Sequence, residues 1–269
     1  MKKYDRRKSC ACGAAGLRAV SPEESRKRIP LFCLVSTAEW SIYCIVCASV
    51  CNAREFSRMT DYMPTRLFLL RHGPASAPPG CFAGSSDVPL SGRGLARLEN
   101  ISAQLKDIAC WYCSPMLRAR QTLEYLQRKG CSAGEPVSDE RLREIDFGRW
   151  ELKTFTDIAA QDKELLAAWN QQYLDFVFPE GEAVAAFIER VKAMLTLFSG
   201  MESNTDTDTD INTGTGTVAV VTHGGVIRTM ICLALGISPH NYLLFDVQPA
   251  SLTVLDLFSE GGVLHGLNL

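Results

Sequence analysis

Short apolar runs alternate along this chain with stretches of helical periodicity. Arg66-Leu67-Phe68-Leu69-Leu70 fits a buried strand, and so do Ala109–Cys113 and Thr217-Val-Ala-Val-Val-Thr222. Phe245–Val247 and Ser251–Leu257 predict further strands near the end of the chain. Between them, Leu95, Leu98, Ser102 and Leu105 recur at helical spacing after the start signal Ser91-Gly92. Ser114-Pro115 predicts an N-cap and a first helical residue, opening a helix through about Lys129. Residues 161–175 read as one helix, with Leu165, Leu166, Trp169 and Tyr173 near one face. The clearest helix is 182–199, where Val184, Phe187, Ile188, Val191, Met194, Leu195 and Phe198 form an apolar stripe for the core. A last helix runs from His223-Gly224-Gly225 through Leu235. Strands alternating with helices predict an α/β domain with a largely parallel sheet.

The first 62 residues do not share this pattern. They carry 11 Lys+Arg against 6 Asp+Glu, while the remainder is acidic, so the net charge of −2 is an average of unlike parts. An acidic body lacks the basic stripe of a nucleic-acid binder. Leu31–Cys51 is a mostly apolar run near the length of a membrane span, preceded by Arg26, Lys27 and Arg28. Glu39 lies inside it, at a cost of roughly 2.5–3.5 kcal/mol on insertion scales. We read residues 1–62 as an over-extended start or a disordered leader, with a membrane anchor through 31–51 as the alternative. The expected location is cytoplasmic unless that anchor is real. The domain proper is then 63–269.

Eleven cysteines are too few for a disulfide-dense secreted scaffold. Cys10-Ala-Cys12 and Cys44-Ile-Val-Cys47 lack the paired spacing and nearby His of a structural zinc site. The polar stretch within 203–216 alternates acids like a calcium loop, without the Gly-then-Glu framework, and reads as a solvated linker.

The chemistry gathers where apolar runs end. His72 and His223 each follow such a run and precede glycine. Open α/β sheets bind ligands outside the carboxyl ends of their strands. The glycines let backbone N–H groups approach an anion. Either His alone is an ordinary turn residue; two in matching contexts point to a site. Arg71 precedes His72, and the capped helix start places Arg118 about one turn in. Arg forks suit phosphate oxygens, and their charge favours neutral, nucleophilic imidazole.

Leu70-Arg71-His72-Gly73, Ser114-Pro-Met-Leu-Arg118-Ala, Leu142-Arg-Glu144-Ile-Asp-Phe-Gly148-Arg-Trp-Glu151 and Thr222-His223-Gly-Gly stand in one order. Together they resemble the histidine phosphatase superfamily, over about residues 65–257. The resemblance implies the phosphoglycerate mutase-like fold, a three-layer α/β/α arrangement with a mostly parallel sheet. It implies His72 as the nucleophile that becomes phosphohistidine. Arg71, Arg118 and His223 hold the phosphoryl oxygens, and Glu144 protonates the leaving alkoxide and then activates water. No metal or other cofactor is implied, because the Arg and His charges serve in its place. The expected partner is a small-molecule phosphate ester, not nucleic acid.

Within the superfamily, Gly80–Ser91, Phe147–Glu151 and Ala168-Trp169-Asn170 are similar to α-ribazole phosphatases of cobalamin assembly. That points to α-ribazole 5′-phosphate or adenosylcobalamin 5′-phosphate as substrate. The alternatives are a sugar-phosphate or phosphoglycerate phosphatase or mutase, and a non-catalytic binder of phosphorylated ligands. Two departures bear on substrate identity. Pro74-Ala75 replace the usual polar residues after the first block, and no Asn occurs before Asn100 in that region, so Ser76, Ser85 or Ser86 is expected to supply the missing phosphate contact. Gly224 is expected to add a backbone contact. Leu152 stands where Gly is frequent.

Overall fold

A computed structural model of the chain describes residues 64–92, 95–106, 108–131, 134–201 and 216–269. The leader, its apolar run and its cysteines lie outside the described residues, as does nearly all of the polar stretch 203–216.

Twelve regular elements follow one another among the described residues. They are β1 (Thr65–Arg71), α1 (Leu95–Ser102), β2 (Cys110–Cys113), α2 (Leu117–Arg128), β3 (Val137–Ser138), α3 (Phe155–Gln161), α4 (Lys163–Gln171), α5 (Val184–Ser199), β4 (Thr217–Thr222), α6 (Gly224–Ala234), β5 (Leu252–Phe258) and β6 (Gly261–Gly266). The strands form one sheet in the order β3-β2-β4-β1-β5-β6. β3, β2, β4 and β1 pair in parallel; β5 and β6 close the far edge antiparallel.

The central strands are apolar on both faces because both faces are covered. Leu67 and Leu69 of β1, with Val218 and Val220 of β4, meet Phe187, Val191 and Met194 of α5 and Val226, Ile227 and Met230 of α6. Leu70, Ala219 and Val221 point the other way, toward Leu98 and Ile101 of α1 and Ala119, Leu123 and Leu126 of α2. This alternation follows from the two-residue period of a strand and gives the three layers expected.

Three local expectations need correction. The helix after Ser114 starts at Leu117, with Met116 as N-cap. The Ser114 hydroxyl is only a distant acceptor for Met116 N–H, at 3.4 Å, and lies 2.8 Å from His223 Nε2 instead. Arg118 is therefore the second residue of α2, not a full turn in. Residues 161–175 are not one helix. Asp162 has left helical geometry, with φ −132°, and its carboxylate receives Trp150 Nε1 and Arg149 Nη2, both at 2.8 Å. The chain breaks again at Gln172 before a 3₁₀ turn at Tyr173–Asp175. Phe245–Val247 is not a strand: Phe245 ends a 3₁₀ turn, Pro239–Leu244. Val247 is buried, and its carbonyl accepts from Arg71.

Candidate active site

Parallel pairing of β1, β4 and β2 delivers the site. Arg71 lies in register with Thr222, and Val221 with Cys113, so the residues that follow leave the sheet side by side. His72 N–H donates to Thr222 O and Ser114 N–H to Val221 O, both at 2.9 Å, extending the pairing one step past the strands. Neighbouring strands lie about 4.8 Å apart. The His72 and His223 rings accordingly sit 5.0 Å apart, centroid to centroid.

His72 Nδ1 is 2.6 Å from Gly73 O, and His72 Nε2 is 3.2 Å from Arg118 Nε. A carbonyl only accepts and a guanidinium only donates. Together they require the tautomer protonated at Nδ1, leaving a lone pair on Nε2. Burial pushes the His72 pKa down to about 3, and the charges of Arg118 and Arg71 push the same way. His223 is fully buried and is held well below its ordinary value, first by burial and then by His72 and the same two arginines. Both imidazoles are neutral across the physiological range.

Arg118 is 1% exposed. It donates from Nη1 to Ser86 O at 2.8 Å, and from Nη2 to Gly84 O at 2.7 Å and Ala83 O at 3.1 Å. Its position is therefore fixed by the backbone of the 83–86 loop. That loop is held in turn by Glu151, whose carboxylate accepts from the N–H groups of Gly84, Ser85, Ser86 and Phe147. Arg71 donates from Nη1 to Val247 O at 2.5 Å. Arg71 Nε and His223 Nδ1 are buried without a hydrogen-bond partner among the described residues. Each such atom costs about 1–3 kcal/mol, an expense common at sites that hold a ligand.

Glu144 Oε2 accepts from the backbone N–H of Gly225 at 2.9 Å, at the start of α6. A Cβ at position 225 would collide with the carboxylate, so glycine there admits it. Gly224 is similarly crossed by the Arg71 guanidinium, 3.2 Å from where its Cβ would stand.

Arg71, His72, Arg118 and Glu144 line one cleft of about 650 Å³. Beyond them its wall is aromatic: Phe82, Phe147, Trp169, Tyr173, Phe178 and Tyr242. Phe155 and Leu243 add exposed apolar surface. A smaller depression of about 380 Å³ shares only Glu144 with this cleft and includes neither His nor Arg118, so the chemistry belongs to the larger one.

The structure thus brings together Arg71, His72, Arg118, Glu144 and His223, with Gly224 buried beside Arg71 at the head of α6. Ser85 and Ser86 differ from expectation. Ser85 Oγ donates to Asp146 at 2.8 Å and Ser86 Oγ to Glu151 at 2.6 Å, which binds them into the loop rather than leaving them for a phosphate. Neither lines the cleft, and nor does Ser76, which is exposed. Sequence reasoning quoted Glu151 without a role. It missed Arg228, which lines the cleft and donates from Nε to Phe245 O at 2.7 Å; a cation one helical turn past Gly224 was the available signal. Among the described residues, no cluster of three or more His, Cys, Asp or Glu is arranged to hold a metal, and no helix is long and apolar enough to cross a membrane.

Several known proteins are similar to this chain in sequence and fold. The adenosylcobalamin/α-ribazole phosphatase of Escherichia coli K12 is 25% identical over 206 residues, covering 76% of this chain and 95% of that protein. Phosphoserine phosphatase 1 of Hydrogenobacter thermophilus is 27% identical over 208 residues, covering 76% and 92%. The crystal structure of the α-ribazole phosphatase from Shigella flexneri superposes with a TM-score of 0.64 at 25% identity, covering 76% and 96%. Residues 67–269 match the histidine phosphatase superfamily (branch 1), and the chain belongs to that family.

Proposed function

We propose that this protein is a metal-independent phosphomonoesterase that works through a phosphohistidine, with α-ribazole 5′-phosphate or adenosylcobalamin 5′-phosphate as substrate. The observation that carries the reading is the state of His72. It is a neutral imidazole with its lone pair on Nε2, between two guanidinium groups and beside a carboxyl group in one cleft.

The steps follow from those groups. His72 Nε2 attacks phosphorus in line, and the bond to the ester oxygen breaks. Arg71 and Arg118 offset the charge on the equatorial oxygens and neutral His223 adds a hydrogen bond, where fixed donors act most strongly. Protonated Glu144 gives its proton to the departing alkoxide. The carboxylate so formed takes a proton from water as that water attacks the phosphohistidine. Inorganic phosphate leaves and His72 is restored. One carboxyl serves both steps because the first leaves it as the base that the second needs.

The aromatic wall suits an alcohol with a planar, apolar portion, and relatives named as α-ribazole phosphatases support that choice. A second reading is an ester of a small phosphorylated acid. It is favoured by Arg228, which donates from Nε to Phe245 O and brings a positive charge to the wall of the cleft. The test is phosphate release with chelator present, from α-ribazole 5′-phosphate, 3-phosphoglycerate, phosphoserine and an aryl phosphate, with His72→Ala as control. The first reading expects strong preference for the ribazole ester, lost in the variant. Preference for either acid favours the second reading. No release from any ester contradicts both.

A further inference from the structure

We infer that Arg190, locked to Glu182, is a positioning residue that sets the aim of the Glu144 carboxyl group. Arg190 lies on α5, outside the catalytic cleft. Its Nε and Nη2 donate to the two carboxylate oxygens of Glu182, at 2.7 and 2.9 Å, in a bidentate pair. Both side chains are only 19% exposed.

The rest of the guanidinium is spent on the backbone that carries Glu144. Nη1 donates to Arg141 O at 2.8 Å and Arg143 O at 2.5 Å, and Nη2 to Glu144 O at 3.1 Å. Glu182 completes the grip. Its Oε2 accepts from Asp146 N–H at 3.3 Å, and its own N–H donates to Asp146 O at 2.9 Å. Leu142 O, the carbonyl that Arg190 skips, accepts from Thr222 Oγ1 at 2.7 Å. Residues 141–146 form no long helix or strand, yet their backbone is held point by point from α5, from Glu182 just before it, and from the end of β4.

A planar fork with five donors can make these contacts at once; a lysine ammonium cannot span them. Displacement of a catalytic group by about 1 Å costs on the order of 10²-fold in rate. The clamp is thus built to keep the carboxyl group over Gly225 while its protonation changes between the two steps. The inference rests on Glu144 being the acid and base, and the experiment separates the two claims.

Full-length Arg190→Met is compared with wild type, Glu144→Gln and the double variant, by rapid mixing with an aryl phosphate and an alkyl phosphate. An aryl leaving group departs without a proton, whereas an alkoxide requires one. The expected result for Arg190→Met is a first aryl turnover within about threefold of wild type. Later turnovers slow about 100-fold, with a build-up of phosphoenzyme, and alkyl turnover slows about 100-fold from the start. In the Glu144→Gln background, Arg190→Met should remove less than about threefold more, since the group it positions is already disabled. Equal slowing of the first aryl and alkyl turnovers, or full additivity with Glu144→Gln, overturns the inference. If Glu144→Gln itself treats both esters alike, the role assigned to Glu144 falls first. Should Arg190→Met not fold, Glu182→Gln keeps the volume and removes the charge. It should show the same pattern at about tenfold, and a flat response would count against the clamp.

Discussion

The proposed chemistry rests on two buried imidazoles kept neutral beside the buried guanidinium of Arg118 and the half-buried one of Arg71. That arrangement has a cost that can be measured away from catalysis. In an unfolded chain both histidines titrate near 6.5. In the fold His72 is pushed down to about 3, by burial first and by Arg118 and Arg71 next, and His223 is held well below its ordinary value. Below pH about 6.5 the unfolded state therefore binds more protons at these residues than the folded state does. Stability contributed by neutral His72 is present above that pH and is lost as pH falls toward about 3. Each histidine contributes a slope of up to about 1.4 kcal/mol per pH unit in that window. Denaturant unfolding of wild type and His72→Gln between pH 7 and pH 4 should show the variant losing stability less steeply, by about that amount. Parallel curves would mean that His72 is not held neutral by the fold.

At the scale of elements, Leu152 is where local geometry and residue type disagree. It follows the Trp150-Glu151 block with φ 58°, and the residue is 41% exposed. The left-handed region costs a side chain with a Cβ about 1–2 kcal/mol, against about 0.5–1 kcal/mol for the extra freedom that Gly loses on folding. Leu152→Gly should therefore raise stability by about 0.5–1 kcal/mol and the Tm by a few degrees, about 1–4 °C. A lowered Tm would show that the leucine side chain contributes more packing than its exposure suggests. The sequence reveals this position only as a departure from a resembling pattern; the φ angle explains it.

The same division runs through the rest of the fold. β1, β2, β4 and the α5 stripe were legible because their apolar patterns are dictated by burial on known faces. The break at Asp162 was not, because its cause is a hydrogen bond from Trp150, distant in the pattern. β3 and β6 escaped notice because one is a two-residue strand at an edge and the other is glycine-rich, so neither carries a periodic signal. Arg71, His72, Arg118, Glu144 and His223 could be read because they sit in short blocks at element ends. The groups that hold them could not. Glu151 acts on the 84–86 loop and Arg190 on residues 141–144, and nothing in local spacing links those segments.

The described residues together form a mixed sheet between two helical layers whose parallel core ends in a cationic pocket. Arginines bound to backbone carbonyls surround a histidine whose Nε2 lone pair faces Arg118, and an aromatic cleft extends from it. The central claim is that His72 carries the phosphoryl group between ester and water. The measurement that tests it most directly is a rapid quench of the full-length enzyme during turnover of an aryl phosphate, followed by mass analysis of its peptides. The account predicts one phosphoryl group on His72, labile to acid and stable to alkali, appearing within a single turnover and absent from His72→Ala. Turnover without any phosphorylated His72 peptide, or a His72→Ala variant that works at the wild-type rate, would contradict it.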